Sequence, residues 1–154
     1  MNLIAFDLGA NMAFACEDVV HFPHWSVKTF KGHRTYRAAD TLKWLNEAFD
    51  NHPWVDTAIY ERPFARGQDA TRCLWGIAGI LEAVATSKGC TVLEVLPSTI
   101  KKWATGSGKA DKEVMTAAAV RLGYYGQNEH EADAYCLYQY GRANIRVKEN
   151  ARGQ

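Results

Sequence analysis

"LIAFDLGANMAFA", Leu3 to Ala15, is the stretch whose reading decides the fold. Leu3 to Leu8 is apolar except for Asp7, Gly9 and Asn11 are turn formers, and Met12 to Cys16 is apolar again. The pattern predicts a buried β-hairpin. A hydrophobic strand has little use for a charge, so Asp7 needs a reason. Aspartate ahead of Leu-Gly forms turns readily, which is the ordinary one. The alternative is that acids distant in sequence are aimed at the same point.

Working outward, a third strand is expected over Trp25 to Phe30, after a break at Pro23. Ala38, Leu42, Leu45 and Phe49 recur at helical spacing from Arg37 to Asp50, and His52-Pro53 stops that helix. Val55 to Glu61 alternates as a strand, with Val55, Thr57, Ile59 and Glu61 on one face. Pro63 and Gly67 mark a loop. A helix follows from Ala70 to Ser87, with Ile77, Ile80, Leu81 and Val84 as its buried stripe. Gly76 and Gly79 each cost such a helix roughly 1 kcal/mol against Ala, so close packing is expected there. Thr91 to Leu96 reads as a strand. After Pro97 come a short helix, a Gly106-Ser107-Gly108 turn, a helix from Asp111 to Leu122 ended by Gly123, and a last helix from Asn128 to Arg142. Strand-helix-strand alternation after a meander predicts an α/β fold. Its sheet is mixed and central, with an initial three-strand meander and helices on both faces. Residues 1–146 make a single domain and 147–154 a flexible basic tail.

The chain has 154 residues, 47% hydrophobic and 23% charged, enough for one core without disulfide or metal staples. No apolar run approaches membrane-spanning length, and Asp7 interrupts any secretory pattern, so a cytoplasmic location is expected. Cys16, Cys73, Cys90 and Cys136 form no CxxC pair. They read as buried, reduced thiols rather than a zinc or redox motif. Net charge is only +1. Locally, Lys101, Lys102, Lys109 and Lys112 face Asp111 alone, and Arg142, Arg146, Lys148 and Arg152 face Glu149. Such clusters can track phosphates, and a solvated surface is the ordinary alternative.

If the strands ending in Asp7 and Glu61 are parallel neighbours, both carboxylates emerge at one sheet edge. The third element is "NEHEADAYCLY", 128–138. Asn128 and Glu131 resemble an N-cap with its capping box. His130 and Asp133 share a helical face that Leu137 marks as inward, while Glu129 and Glu131 should point elsewhere and suit the helix dipole. Capping explains Asn128 and Glu131 but not an inward His and Asp. Asp7, Glu61, His130 and Asp133 are hard oxygen donors plus one imidazole, a set that suits Mg²⁺ or Mn²⁺. Two such ions, about 4 Å apart, activate water and stabilise a leaving phosphodiester oxygen.

These segments resemble the RuvC family of Holliday junction resolvases. "YERPFARGQDATRCLWGIAGILEAVA" is similar to the family's second catalytic segment. "VLPSTIKKWATGSGKADKEVM" is similar to its Pro, Lys-containing turn and following helix, and "HEADAY" to its C-terminal acidic helix. With "DLG" at the start, the four motifs fall in the family's order over nearly the whole chain. The resemblance implies a ribonuclease-H-like fold, a homodimer, and Mg²⁺-dependent cleavage of four-way DNA junctions by paired symmetric nicks, with two ions per site and Mn²⁺ as a substitute. It carries metal ligation to Asp7, Glu61 and Asp133. His130 falls where many members have Asp and some have His. Phe64 matches an aromatic that stacks on an unpaired base, a core side chain being the alternative. Lys101 and Lys112 match basic positions near the scissile phosphate, and Arg66, Lys102 and Lys109 are further candidates for DNA contact. Leu8 stands where the family has Pro, "NMAFA" lacks its Thr-Gly, and the net charge is low for a DNA enzyme. These departures imply a divergent member.

Three other readings compete. One is a broader branched-DNA or RNA nuclease of the same fold. Another is a non-catalytic DNA-binding protein, which leaves four potential ligands on three elements unexplained. The last is a nucleotide-binding kinase of the related actin-like fold, which needs a second phosphate-binding hairpin and a longer chain. No nucleotide cofactor is therefore expected.

Overall fold

In the computed structural model, which describes residues 1–17, 23–64 and 67–145, the opening hairpin is β1 (Leu3–Asp7) and β2 (Asn11–Glu17). Arg66 and the basic tail, with Arg146, Lys148, Glu149 and Arg152, lie outside the described residues. β3 (Pro23–Thr29) pairs antiparallel with β2 and completes the meander. Pro23 opens this strand instead of breaking the chain before it. Proline lacks the N–H that an interior ladder needs, but it is tolerated as the first residue of an edge strand.

From the meander the chain runs through α1 (Arg34–Asn51) to β4 (Thr57–Glu61), then through α2 (Gln68–Ser87) to β5 (Thr91–Val95). β4 is parallel to β1 and β5 to β4, so the sheet order is β3-β2-β1-β4-β5. The expected mixed sheet is present, with β1 at its centre. Ile4, Ala5 and Phe6 are fully buried because helices cover both faces, which is why the first strand reads as a continuous apolar run.

On one face Phe6, Met12, Phe14 and Tyr60 meet Leu45 and Phe49 of α1 and Ile77, Leu81 and Val84 of α2. On the other, Leu3, Ala5, Ala13, Ala15 and Ile59 meet α3 (Pro97–Thr105), α4 (Lys112–Arg121) and α5 (Glu129–Asn144). α1 starts earlier than its apolar spacing predicts, because the His33 side chain caps it by accepting from Thr35 N–H. Its inward stripe runs through Thr41, Leu45, Ala48 and Phe49, and Leu42 is left 47% exposed. Gly76 and Gly79 also depart from expectation. Within 4 Å of where a Cβ would stand at either there is no neighbour. Three cysteines are buried, Cys73 is half-buried, and among the described residues none is joined in a disulfide. Among the described residues no helix is long and apolar enough to cross a membrane.

The close approach falls at Gly141 of α5, where a Cβ would stand 2.4 Å from Leu3 Cδ2. That contact presses α5 onto the central strand, over the small side chains of Ala5, Ala13 and Ala15. Gly141→Ala is expected to lose about 1–3 kcal/mol of stability by overpacking. Gly79→Ala should instead be neutral or gain up to about 1 kcal/mol in helix propensity. Urea unfolding of the two variants checks this, and equal effects would contradict the packing.

Candidate metal and phosphate site

Phe6 pairs with Tyr60 across β1 and β4, so the next residues, Asp7 and Glu61, end adjacent parallel strands. Strand ends hold their side chains in fixed directions, and here both acids leave the sheet together. α5 brings the other two residues. Asn128 caps it by accepting from His130 N–H at 2.9 Å and Glu131 N–H at 3.2 Å. The reciprocal arm of the capping box is replaced. The Tyr124 hydroxyl accepts from Asn128 N–H at 3.1 Å and lies 3.1 Å from Glu131 Oε2. This fixes the first turn of α5 over the sheet edge. His130 Nδ1 then meets Asp7 Oδ2 at 2.9 Å, with both side chains 21% exposed, and Asp133 lies one helical turn on.

The electrostatics bind the four into one cluster. Burial pushes the Glu61 carboxyl up to about 7, and the Asp7 and Asp133 charges add to this while Lys101 opposes it. Burial likewise pushes Asp133 up to about 6, with Asp7 adding and Lys112 and His130 opposing. Asp7 is raised by burial against the pull of its His130 hydrogen bond. That same bond raises His130 above its ordinary 6.5. Among the described residues these four are not a group that gathers three ligand atoms closely enough for a single ion. The carboxylates are coupled through their charges without closing on one point. Buried carboxylates that repel one another are the donor set a divalent cation relieves, and their oxygens suit a hard ion. The residues fit Mg²⁺ or Mn²⁺.

Around the acids stand the expected bases and one unexpected acid. Lys112 Nζ lies 3.0 Å from Glu129 Oε1, and its charge reaches both Asp7 and Asp133. Glu129 does not point away as the helix spacing predicts. It joins Lys112 to the site, with its Oε1 3.7 Å from His130 Nε2. No spacing rule shows this contact, because Lys112 comes from α4. Lys101 acts on Glu61 through its charge. Lys102 and Lys109 are exposed, and neither is among the charges that shift the acids. Phe64 is 81% exposed on the loop after Glu61, which removes the core alternative.

A sheet with this strand order, crossed by helices on both faces, is the ribonuclease-H-like class of fold. No family model matches the chain. Crossover junction endodeoxyribonuclease RuvC of Corynebacterium diphtheriae is 35% identical over 85 residues, which cover 51% of this chain and 50% of that protein. RuvC of Corynebacterium glutamicum is 36% identical over 80 residues, which cover 51% of this chain and 36% of that protein. The chain thus spans half or less of the curated relatives it matches. The solved structure of T. thermophilus RuvC in complex with Holliday junction substrate superposes with a TM-score of 0.80 at 17% identity, over 96% of each chain. The chain is thus similar to RuvC resolvases in sequence over about half its length and in fold over nearly all of it.

The folded protein holds the Glu61 proton until about pH 7, against an ordinary 4.5, so ionising it costs stability. That cost is absent below pH 4.5 and grows as the pH rises to about 7. In chelator-treated protein Glu61→Gln is expected to be more stable than wild type above pH 7, by on the order of 2–3 kcal/mol. The gain should shrink below pH 4.5, and also when Mg²⁺ is restored to the wild type. Denaturant melts at two pH values, with and without Mg²⁺, measure it. A pH-independent gain would remove the cluster's charge as the cause.

Proposed function

We propose that this chain is a metal-dependent, structure-selective DNA endonuclease that resolves four-way junctions by paired symmetric nicks. The observation that carries the reading is the convergence of Asp7, Glu61, His130 and Asp133 from three elements onto one sheet edge. It is supported by the same fold in a RuvC solved with a Holliday junction. Asp7, Glu61 and Asp133 would hold two Mg²⁺ ions, with Mn²⁺ as substitute, and His130 would complete the set. Such ions supply Lewis acidity and a water of lowered pKa.

The chain's own groups do the rest. Asp7 and Glu61, fixed on adjacent strands, would hold the metal in a set position relative to the phosphate. Lys101 and Lys112 carry positive charge beside the acids, where a phosphate oxygen would gain negative charge during cleavage. Glu129 orients the Lys112 ammonium. Phe64, exposed three residues beyond Glu61, is placed to stack on an unpaired base near the cut. Lys102 and Lys109, farther out, and Arg66 would contact DNA phosphates. A homodimer supplies a second site, since resolution needs two cuts and one site makes one.

Asp7→Asn is expected to abolish nicking of a synthetic four-way junction in Mg²⁺ or Mn²⁺ while junction affinity holds or rises. Affinity comes mainly from basic contacts to phosphate, and the variant removes a negative charge. A gel assay of the junction, a flap and a plain duplex reads cleavage, and a shift assay reads binding. Parallel loss of both in a folded variant would make Asp7 structural. Equal cutting of all three substrates would favour the broader nuclease.

For Phe64→Ala, a base stack worth roughly 1–3 kcal/mol is lost on the DNA and little is lost from the fold. Junction cutting should slow by about tenfold or more, with Tm nearly unchanged. A large fall in Tm with normal cutting would give Phe64 a structural role in place of the stack.

A further inference from the structure

We propose that Cys16, His24 and His52 form a second metal site, for a borderline-soft divalent ion such as Zn²⁺, separate from the acidic cluster. Cys16 lies in β2, His24 is its cross-strand partner in β3, and His52 caps the C-terminus of α1. One ligand atom from each lies within 4.8 Å of the other two. Cys16 pairs with Ile4, whereas Ala13 pairs with Asp7, so the cluster is about 10 Å along the strand from the acids. It is also on the opposite face, against α1 and α2.

The geometry is that of a built site. His52 is 6% exposed, and its Nδ1 lies 2.7 Å from the Ala48 carbonyl oxygen. That oxygen can only accept, so Nδ1 carries the proton and Nε2 presents its lone pair to the cluster. A backbone carbonyl that fixes the tautomer in this way is the usual support of a metal-binding histidine. His52 Nε2 lies 3.0 Å from His24 Nδ1. Tetrahedral zinc with two imidazoles separates their nitrogens by about 3.3 Å, so little movement is needed. Thiolate and imidazole are ligands zinc favours, whereas Mg²⁺ prefers oxygen. His24 is exposed, and a cleft lined by Phe14, Ser26, Trp44 and Glu47 opens beside it, which gives the ion a path and leaves a fourth position.

Binding releases the Cys16 thiol proton to solvent and breaks the hydrogen bond between the two histidines. His24 moves its proton from Nδ1 to Nε2, and His52 keeps its own on Ala48. The ion then ties the end of the β2–β3 hairpin to the end of α1. The cysteine spacing gives no hint of this, because each ligand comes from a different element.

Chelator-treated, reduced protein titrated with Co²⁺ provides the test, since a bound thiolate gives a charge-transfer absorption that oxygen ligands do not. Wild type and Asp7→Asn should both show this band, saturating at one equivalent and abolished by added Zn²⁺. Cys16→Ser should lack it, and His24→Ala, at an exposed position, should need roughly tenfold or more Co²⁺. Zn²⁺ should raise the Tm of wild type and Asp7→Asn but not of Cys16→Ser. No thiolate band in wild type, or a band that survives in Cys16→Ser, would overturn the proposal. Loss of nicking in Asp7→Asn with an intact cobalt band would separate the two sites.

Discussion

Asp7, Glu61 and Asp133 stand together at the end of a buried sheet, and much of the rest of the fold can be traced to keeping them there. Each is raised toward protonation by burial, and the Asp7 charge adds to this at both Glu61 and Asp133, as the Asp133 charge does at Glu61. Left alone, such groups would move apart or bind protons. Rigid parallel strands prevent the first for Asp7 and Glu61, because their directions are set by a ladder running from Leu3 opposite Thr57 to Phe6 opposite Tyr60. The helix bearing Asp133 has no ladder. Its position depends on packing, on Gly141 against Leu3 at one end and the Asn128 cap at the other.

His130 ties the cluster to proton binding. Its Nδ1 meets Asp7, and the bond raises the imidazole's affinity for a proton. A proton shared between them supplies part of the positive charge that the acids lack. A histidine at this position therefore differs from an aspartate in kind. In the proposed metal site it would have to ligate as the neutral imidazole, so proton and cation would compete at one place.

Much of this was legible in the sequence. An acid at the end of an apolar strand, repeated at Glu61, needs only strand order to become a pair, and the right-handed crossover supplies the order. His130 and Asp133 follow from three-residue spacing. What escaped depends on contacts between elements. Glu129 turns toward the site because Lys112 arrives from another helix, and Tyr124 takes the capping role that Glu131 was expected to fill. Leu42 was misplaced because Thr41 and Ala48 complete the inward stripe, and small or polar residues weigh little in an apolar pattern. Gly76 and Gly79 read as packing sites only because a glycine in a helix costs stability that close packing can repay.

The two faces of the sheet carry donor groups of different hardness. On the α5 face, carboxylates meet at the carboxyl ends of the parallel strands, where crossover topology leaves side chains converging. On the α1 face, at the other end of β1, the antiparallel meander sets residues of neighbouring strands directly opposite each other, as with Cys16 and His24. Parallel pairing joins strands distant in sequence and so gathers acids that no local motif announces. Antiparallel pairing joins near neighbours, yet Cys16 and His24 are no more visible, because their significance depends on His52 arriving at the end of a helix. In both places two neighbouring strands fix the direction of two side chains, and a helix terminus, with its own capping bonds, delivers the rest.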